Sequence, residues 1–393
     1  MKKHLIAAAV AAAVAVPAMA QQVTVYGVID QGYTSTESKL SQPGVSLKNK
    51  LSTTGDGGAF TSQRLGFRGT EDLGGGMKAN FVLELGVADN DGVGDSGAGV
   101  ATQLTTRLAF VGLEGAFGRI NIGRMNTQAE NAWGVGDVGG GNNFIGRAYS
   151  AAAISVNTAG GLIAGVANGI GTPVAPETLT IRQSNSRSDR LVEYVTPTMS
   201  GFSAAIQYGK RDQDTQTALA VTQETSGTET GLGLRYSAGP LNVMLGYSSE
   251  KYKVADVDGF KIEQTVLGAN YDFGVARLFG NYATGKQDSR NVSTLATTGG
   301  GLNDVRKPKT YEIGVAIPFG AATAQLSYFD GDAKSSTAGV DNGKVNVDGF
   351  QLTGLYALSK RTTAYAVYAT NEFKQGNGKT ENNQFGLGIR HSF

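Results

Sequence analysis

Along most of this chain apolar and polar side chains alternate, and the alternating segments are joined by connections that are by turns short and long. In Ser62–Arg68, Leu65 and Phe67 share one face while Arg64 and Arg68 share the other. From Met77 to Leu85, Ala79, Phe81, Leu83 and Leu85 face one way and Lys78, Asn80, Val82 and Glu84 the other. The last segment sets Phe385, Leu387, Ile389, His391 and Phe393 against Gln384, Gly386, Gly388, Arg390 and Ser392. A period of two marks a strand with one apolar and one polar face.

A soluble sandwich alternates as well, so the connections decide. Tight joints fall at 71–75, 114–117, 196–199, 238–240, 271–274, 318–320 and 358–360. Longer polar loops are expected near 36–58, 89–102, 125–186, 212–227, 253–259, 285–308, 330–346 and 372–381. Seven turns and eight loops join 16 strands, and an even count returns both ends to one rim, as an up-and-down barrel requires. Strands of about 9–11 residues fit the tilted span of a bilayer. The expected fold is all-β: a 16-stranded antiparallel transmembrane β-barrel with long extracellular loops and short periplasmic turns.

The beginning of the chain reads as an address label. Lys2, Lys3 and His4 precede an apolar run from Leu5 to Val16, then Pro17 and an Ala18-Met19-Ala20 cleavage pattern. That run is too short for a membrane-spanning helix, which needs about 20 residues. A signal peptide at 1–20 would leave 21–393 as one barrel domain. Losing Lys2 and Lys3 from the 34 basic residues leaves 32 against 33 acidic ones, no electrostatic case for nucleic acid.

An exported chain with no cysteine must be held by backbone pairing and packing. Glycine is abundant at 57 residues and proline scarce at 8, without the period of collagen or the proline content of a disordered tract. Only 40% of residues are apolar, which suffices if the apolar face meets lipid and the polar face meets water. Tyr208, Tyr236, Tyr247, Tyr252, Tyr271, Phe273, Tyr282, Tyr328, Phe329, Tyr368 and Phe373 stand near expected strand ends. They fit interfacial aromatic girdles, with ordinary strand packing as the alternative.

Four stretches carry a resemblance. Gln22-Val23-Thr24-Val25-Tyr26-Gly27-Val28-Ile29-Asp30 resembles the opening strand of the Gram-negative general porins. Arg64-Leu65-Gly66-Phe67-Arg68-Gly69-Thr70-Glu71-Asp72-Leu73-Gly74 is similar to their second strand and first turn. Phe110–Gly118 followed by Ile122-Gly123-Arg124 resembles the run entering their third loop, and Gly388-Ile389-Arg390-His391-Ser392-Phe393 their terminal strand. The resemblance spans the mature chain. It implies an outer-membrane homotrimer among lipid and lipopolysaccharide, a third loop folded into the lumen, and passive diffusion of small hydrophilic solutes and ions. It further implies that the terminal aromatic, Phe393, is read by the barrel-assembly machinery.

The same resemblance places Arg64 and Arg124 on the wall facing that loop, with Arg68 and Arg107 on lumen-facing parity nearby. Glu130 and Asp137 are the loop's candidate carboxylates. Opposed charges across a narrow lumen order water and penalise apolar solutes. Strict alternation from Ile120 and Ile122 would aim Arg124 at lipid, at a cost of about 2–4 kcal/mol, so a bulge or the start of the inward turn is expected near Gly123. Glu193 stands where related porins often carry arginine; facing the lumen, it would weaken the basic wall. The apolar run Ala151–Ile170 fits either a piece packed in the vestibule or an external hairpin.

Other motifs lack their context. Gly134-Val135-Gly136-Asp137-Val138-Gly139 spells a nucleotide-loop pattern, but Gly140-Gly141-Asn142 follows instead of a helix. Gly94-Asp95-Ser96-Gly97 resembles a serine-nucleophile string, yet His391 is the one histidine beyond the leader and has no local orienting pair. That histidine and the lack of cysteine leave no ordinary zinc or iron site, and no cofactor is expected. Asp89, Asp91 and Asp95 form a weak calcium candidate whose spacing fails the EF-hand pattern at Val93; a solvated acidic loop fits better. The competing functions are a structural or adhesive barrel and a barrel enzyme, the latter disfavoured by strand count and missing catalytic residues.

Overall fold

The computed structural model describes residues 22–55, 59–87, 104–139, 143–148, 186–216, 222–254, 257–290, 303–337 and 339–393. The leader at 1–20, the loop holding Asp89, Asp91 and Asp95, and the apolar run Ala151–Ile170 lie outside the described residues.

The period-two segments are strands. In order they are β1 (Gln22–Gln42), β2 (Val45–Thr54), β3 (Arg64–Gly74), β4 (Met77–Val87), β5 (Leu104–Gly115) and β6 (Gly118–Asn126). A helix, α1 (Gln128–Gly136), precedes β7 (Arg187–Val195), β8 (Phe202–Gln216), β9 (Thr222–Ala238), β10 (Leu241–Val254) and β11 (Val257–Asp272). The remainder are β12 (Arg277–Arg290), β13 (Asn303–Phe319), β14 (Ala322–Thr337), β15 (Val340–Ala357), β16 (Thr362–Gln375) and β17 (Gly378–Ser392).

The sheet closes on itself. β1 and β17 pair antiparallel from Val28 opposite Ser392 to Ser41 opposite Lys379. At the seam, Gly27 and Phe393 exchange backbone hydrogen bonds of 3.1 and 3.2 Å. On its other edge β1 pairs with β3 through Gln22–Val28 and with β2 through Tyr33–Gln42, so β2 and β3 share one place in the ring. The 17 strands therefore make a 16-stranded barrel, the form in which strands can satisfy their backbone groups in lipid.

Alternation sorts the side chains as expected. Val111 and Ile389 are 62% and 53% exposed on the outer face, where lipid would cover them. Two of the aromatics assigned to a girdle are inside instead: Phe329 is fully buried and Phe373 nearly so. Parity explains both. Tyr328 and Tyr368 point outward, so Phe329, one residue from Tyr328, and Phe373, five from Tyr368, turn inward to pack with Trp133, Val345 and Val347.

The tight joints fall where the spacing predicts, but several expected long loops are strand. Residues 36–54, 330–346 and 372–381 belong largely to paired hairpins, and strands reach 21 residues rather than stopping at membrane length. Above the bilayer both faces meet water, so these segments lose their apolar face and read as loops. Cross-strand ion pairs replace it: Lys48–Glu37 at 2.9 Å, Lys344–Asp332 at 3.2 Å and Lys379–Glu372. Several turns repeat Asp-x-Gly, in which the aspartate accepts the glycine N–H: Asp72 from Gly74 at 2.9 Å, Asp272 from Gly274 at 2.8 Å and Asp341 from Gly343 at 2.8 Å.

Candidate pore constriction

The loop between β6 and β7 turns into the barrel. Thr127 caps α1 in extended geometry, its hydroxyl accepting from the Glu130 N–H at 3.3 Å. Ala129, Ala132 and Trp133 are buried against Met244, Val266 and Ala283 on β10–β12. The backbone lies unusually close to the wall. A Cβ on Gly246 would stand 2.0 Å from the Gln128 carbonyl oxygen, and one on Gly268 would stand 1.9 Å from that of Ala132. Only glycine admits such an approach.

Polar wall residues tie the helix down. Glu193 faces the lumen and accepts from Asn121 at 2.9 Å, from Gln128 of α1 at 2.8 Å and from Gln207 at 2.8 Å. Ser248 accepts the Ala129 N–H at 3.1 Å. At the far end Asn281 donates to the Trp133 carbonyl at 3.3 Å and Asn270 to that of Val135 at 2.7 Å, partners for carbonyls a helix end leaves unpaired.

Beyond α1 the loop runs on around the wall. Arg147 is buried between Asp137 and Glu312 of β13, with its Nε 3.1 Å from the Glu312 Oε1. The space left open is about 510 Å³, bounded on one side by Arg64, Glu84 and Arg107 and on the other by Glu130, Asn131 and Asp137. Arg187 and the Arg147–Glu312 pair complete its charged lining. Within the wall cluster Arg107 donates to Glu84 at 2.7 Å, Tyr26 donates to it at 3.1 Å, and Arg64 stands 4.0 Å away.

Of the residues singled out from sequence, Arg64, Arg107, Glu130 and Asp137 meet around this space. Arg68 lies four residues nearer the turn than Arg64 and stacks over the Tyr26 ring at 5.3 Å. Arg124 stands apart: it donates to the Thr106 carbonyl at 2.9 Å and to Asp189 at 2.8 Å. The register slips between Gly123 and Met125, and Arg190 takes a left-handed φ of 60°, so there is a bulge where one was expected. Glu193 lines a lower vestibule beneath α1, with its charge held by three amides.

Sequence reasoning missed Glu84, Arg147, Arg187 and Glu312. Glu84 shares lumen parity with Asn80 and Val82, which was a usable signal. Arg147 had a stronger one, being the only charged residue between Asp137 and Glu177.

A closed 16-stranded barrel with a loop folded inside to leave a charged aperture defines a porin. The chain belongs to the Gram-negative porin family, whose model matches residues 7–376. It is 33% identical over 427 residues to an outer membrane porin protein of Bordetella pertussis, covering 100% of both chains. It is 30% identical over 413 residues to outer membrane porin protein 32 of Delftia acidovorans, again covering 100% of each. Among solved structures, the anion-selective porin from Comamonas acidovorans superposes with a TM-score of 0.60 at 24% identity, over 95% of this chain and 100% of that one. The trimer form of OmpT from Vibrio cholerae gives 0.55 at 15% identity, over 95% and 100%. The protein is an outer-membrane porin, and its family and fold are those of a channel.

Proposed function

We propose that small hydrophilic solutes and ions cross this porin by diffusion through the aperture ringed by Arg64, Arg107, Arg187, Glu130 and Asp137. The observation that carries the reading is charge opposition: arginines from the β3–β5 wall face carboxylates from the inner loop across a space of about 510 Å³. A field across so small an opening aligns water and taxes apolar solutes. The lining holds four arginines (Arg64, Arg107, Arg147, Arg187) and four carboxylates (Glu84, Glu130, Asp137, Glu312). That balance favours weak ion preference, in contrast to the anion-selective porin from Comamonas acidovorans.

The working unit in this proposal is a homotrimer in outer-membrane lipid and lipopolysaccharide, with OmpT's trimer form as the supporting precedent. Residues 1–20 direct export and are removed, and Phe393, joined to Gly27 at the seam, is the element the barrel-assembly machinery reads. Planar-bilayer recording tests the whole. Stepwise openings in threes are expected; a silent bilayer containing folded protein would sink the reading.

A further inference from the structure

Asp30 of β1 is fully buried in the lumen wall and belongs neither to the aperture nor to the lipid face. Its carboxylate accepts the backbone N–H groups of Phe60, at 3.1 Å, and Thr61, and the Tyr365 hydroxyl of β16 at 2.9 Å. Gln63 accepts the Asp30 N–H at 3.3 Å. Arg390, paired with Asp30 across the β1–β17 seam, reaches Thr61 at 3.4 Å and lies 5.9 Å from the Phe60 ring centre. The segment at 59–63, between β2 and β3, is thereby drawn inside the barrel.

What it meets there is the far limb of the inner loop. Phe60 stacks on Tyr365 at 4.9 Å and packs against Phe144 at 6.2 Å. Its carbonyl accepts the Asn143 N–H at 2.9 Å, and Ser62 donates to Asn143 at 3.3 Å. Three residues on from Phe144, Arg147 enters the buried ion cluster with Asp137 and Glu312. Two residues on from Ser62, Arg64 forms the opposite side of the aperture. The Asp30 cluster thus stands behind both sides.

We propose that the first loop and the third loop form one clamped body inside the barrel, and that Asp30 is the positioning residue that fixes the aperture through Phe60, Thr61 and Asn143. The proposal rests on the diffusion reading above. A carboxylate that accepts two backbone N–H groups and a hydroxyl makes the strong, charge-assisted kind of bond. Alanine at this position leaves buried donors without an acceptor.

The test uses the full-length porin in planar bilayers, with heat-stable gel mobility as the check that each barrel is folded. Asp30→Ala should increase the time spent in displaced conductance levels about tenfold, the ratio that about 1.4 kcal/mol carries. Because the chain has no cysteine, Ser62→Cys with Asn143→Cys offers a clean crosslink between the two loops. Under oxidising conditions the crosslink should return Asp30→Ala to quiet, wild-type current, and reductant should undo the rescue. A heat-stable Asp30→Ala with wild-type current, or a formed crosslink that leaves the current noisy, overturns the clamp. If Asp30→Ala does not fold, the crosslink in the wild-type background decides: unchanged mean conductance supports one body, and an altered mean refutes it. A silent wild-type bilayer would count against the pore itself, whereas a conducting wild type with an indifferent Asp30→Ala counts against the clamp alone.

Discussion

Gly268 makes the width of the pore a matter of backbone contact, which can be tested with a single methyl group. A Cβ there would stand 1.9 Å from the Ala132 carbonyl oxygen, whereas ordinary contact begins at 3.4 Å. The obstruction is backbone on both sides, so rotamer changes cannot relieve it. α1 must retreat from the wall by about 1.5 Å, and the only direction open to it is into the aperture. A nine-residue helix is roughly 13.5 Å long and about 10 Å across, so that displacement sweeps about 200 Å³. Against an aperture of about 510 Å³, this is some two-fifths of the space. Gly268→Ala should therefore cut single-channel conductance by roughly a third to a half, with an overpacking cost of about 1–3 kcal/mol. Gly227→Ala is the control, because a Cβ there meets its neighbours at 3.8 Å or more. Single-channel recording at high salt reads the effect. A folded Gly268→Ala barrel with wild-type or larger conductance would refute the idea that close backbone approach sets the helix position.

Three further outcomes follow from the same geometry. Glu84→Gln removes a carboxylate from a balanced lining while leaving Arg64 and Arg107 in place, so the reversal potential in a salt gradient should move toward anions; no movement would place the selectivity elsewhere. Glu193→Ala strips the acceptor from three amides and should destabilise the inner loop by about 3 kcal/mol or more, read as faster hydrogen exchange in 127–136, while Glu193→Gln should cost less. At the periplasmic turn, Arg277 and then the Gly274 N–H hold the Asp272 carboxyl below its ordinary range. A depressed folded value gives order that is complete above the unfolded pKa, about 3.9, and lost as pH falls through the folded one. Local exchange at 272–277 should accordingly rise below about pH 4, and Asp272→Asn should abolish that dependence.

The barrel was legible in the chain because its constraint is local and repeated. Lipid demands one apolar face from every strand, so Val111, Ile122 and Ile389 announce themselves by parity, and the Asp-x-Gly turns by composition. Above the membrane that demand lapses. Glu37, Lys48, Asp332 and Lys344 lie in regular strands that carry no apolar stripe, and so they read as loop. The aperture was legible where it stands on strands, at Arg64 and Arg107, and in the acids of α1 and its end. The pairing of Arg147 with Glu312 was hidden, because the two are 165 positions apart and meet only where the loop crosses the lumen.

The glycines join the two halves of this account. Outside, the wall needs apolar side chains; inside, at Gly246 of β10 and Gly268 of β11, it carries none, because the backbone of α1 occupies the place they would take. A residue that contributes nothing to either face in an alternation scan is thus the one that sets how far the inner loop stands from the wall. The charged side chains of the aperture then work at a distance fixed by backbone contact on one side and by buried ion pairs on the other. Arg147 is spent on Asp137 and Glu312, so it holds position, and the Arg64–Glu84–Arg107 cluster is left to face the water. Ion preference should therefore respond to substitutions in that wall cluster. Substitutions at Arg147 should act first on aperture size, since breaking one partner of a buried pair costs about 3–5 kcal/mol and frees the limb it anchors.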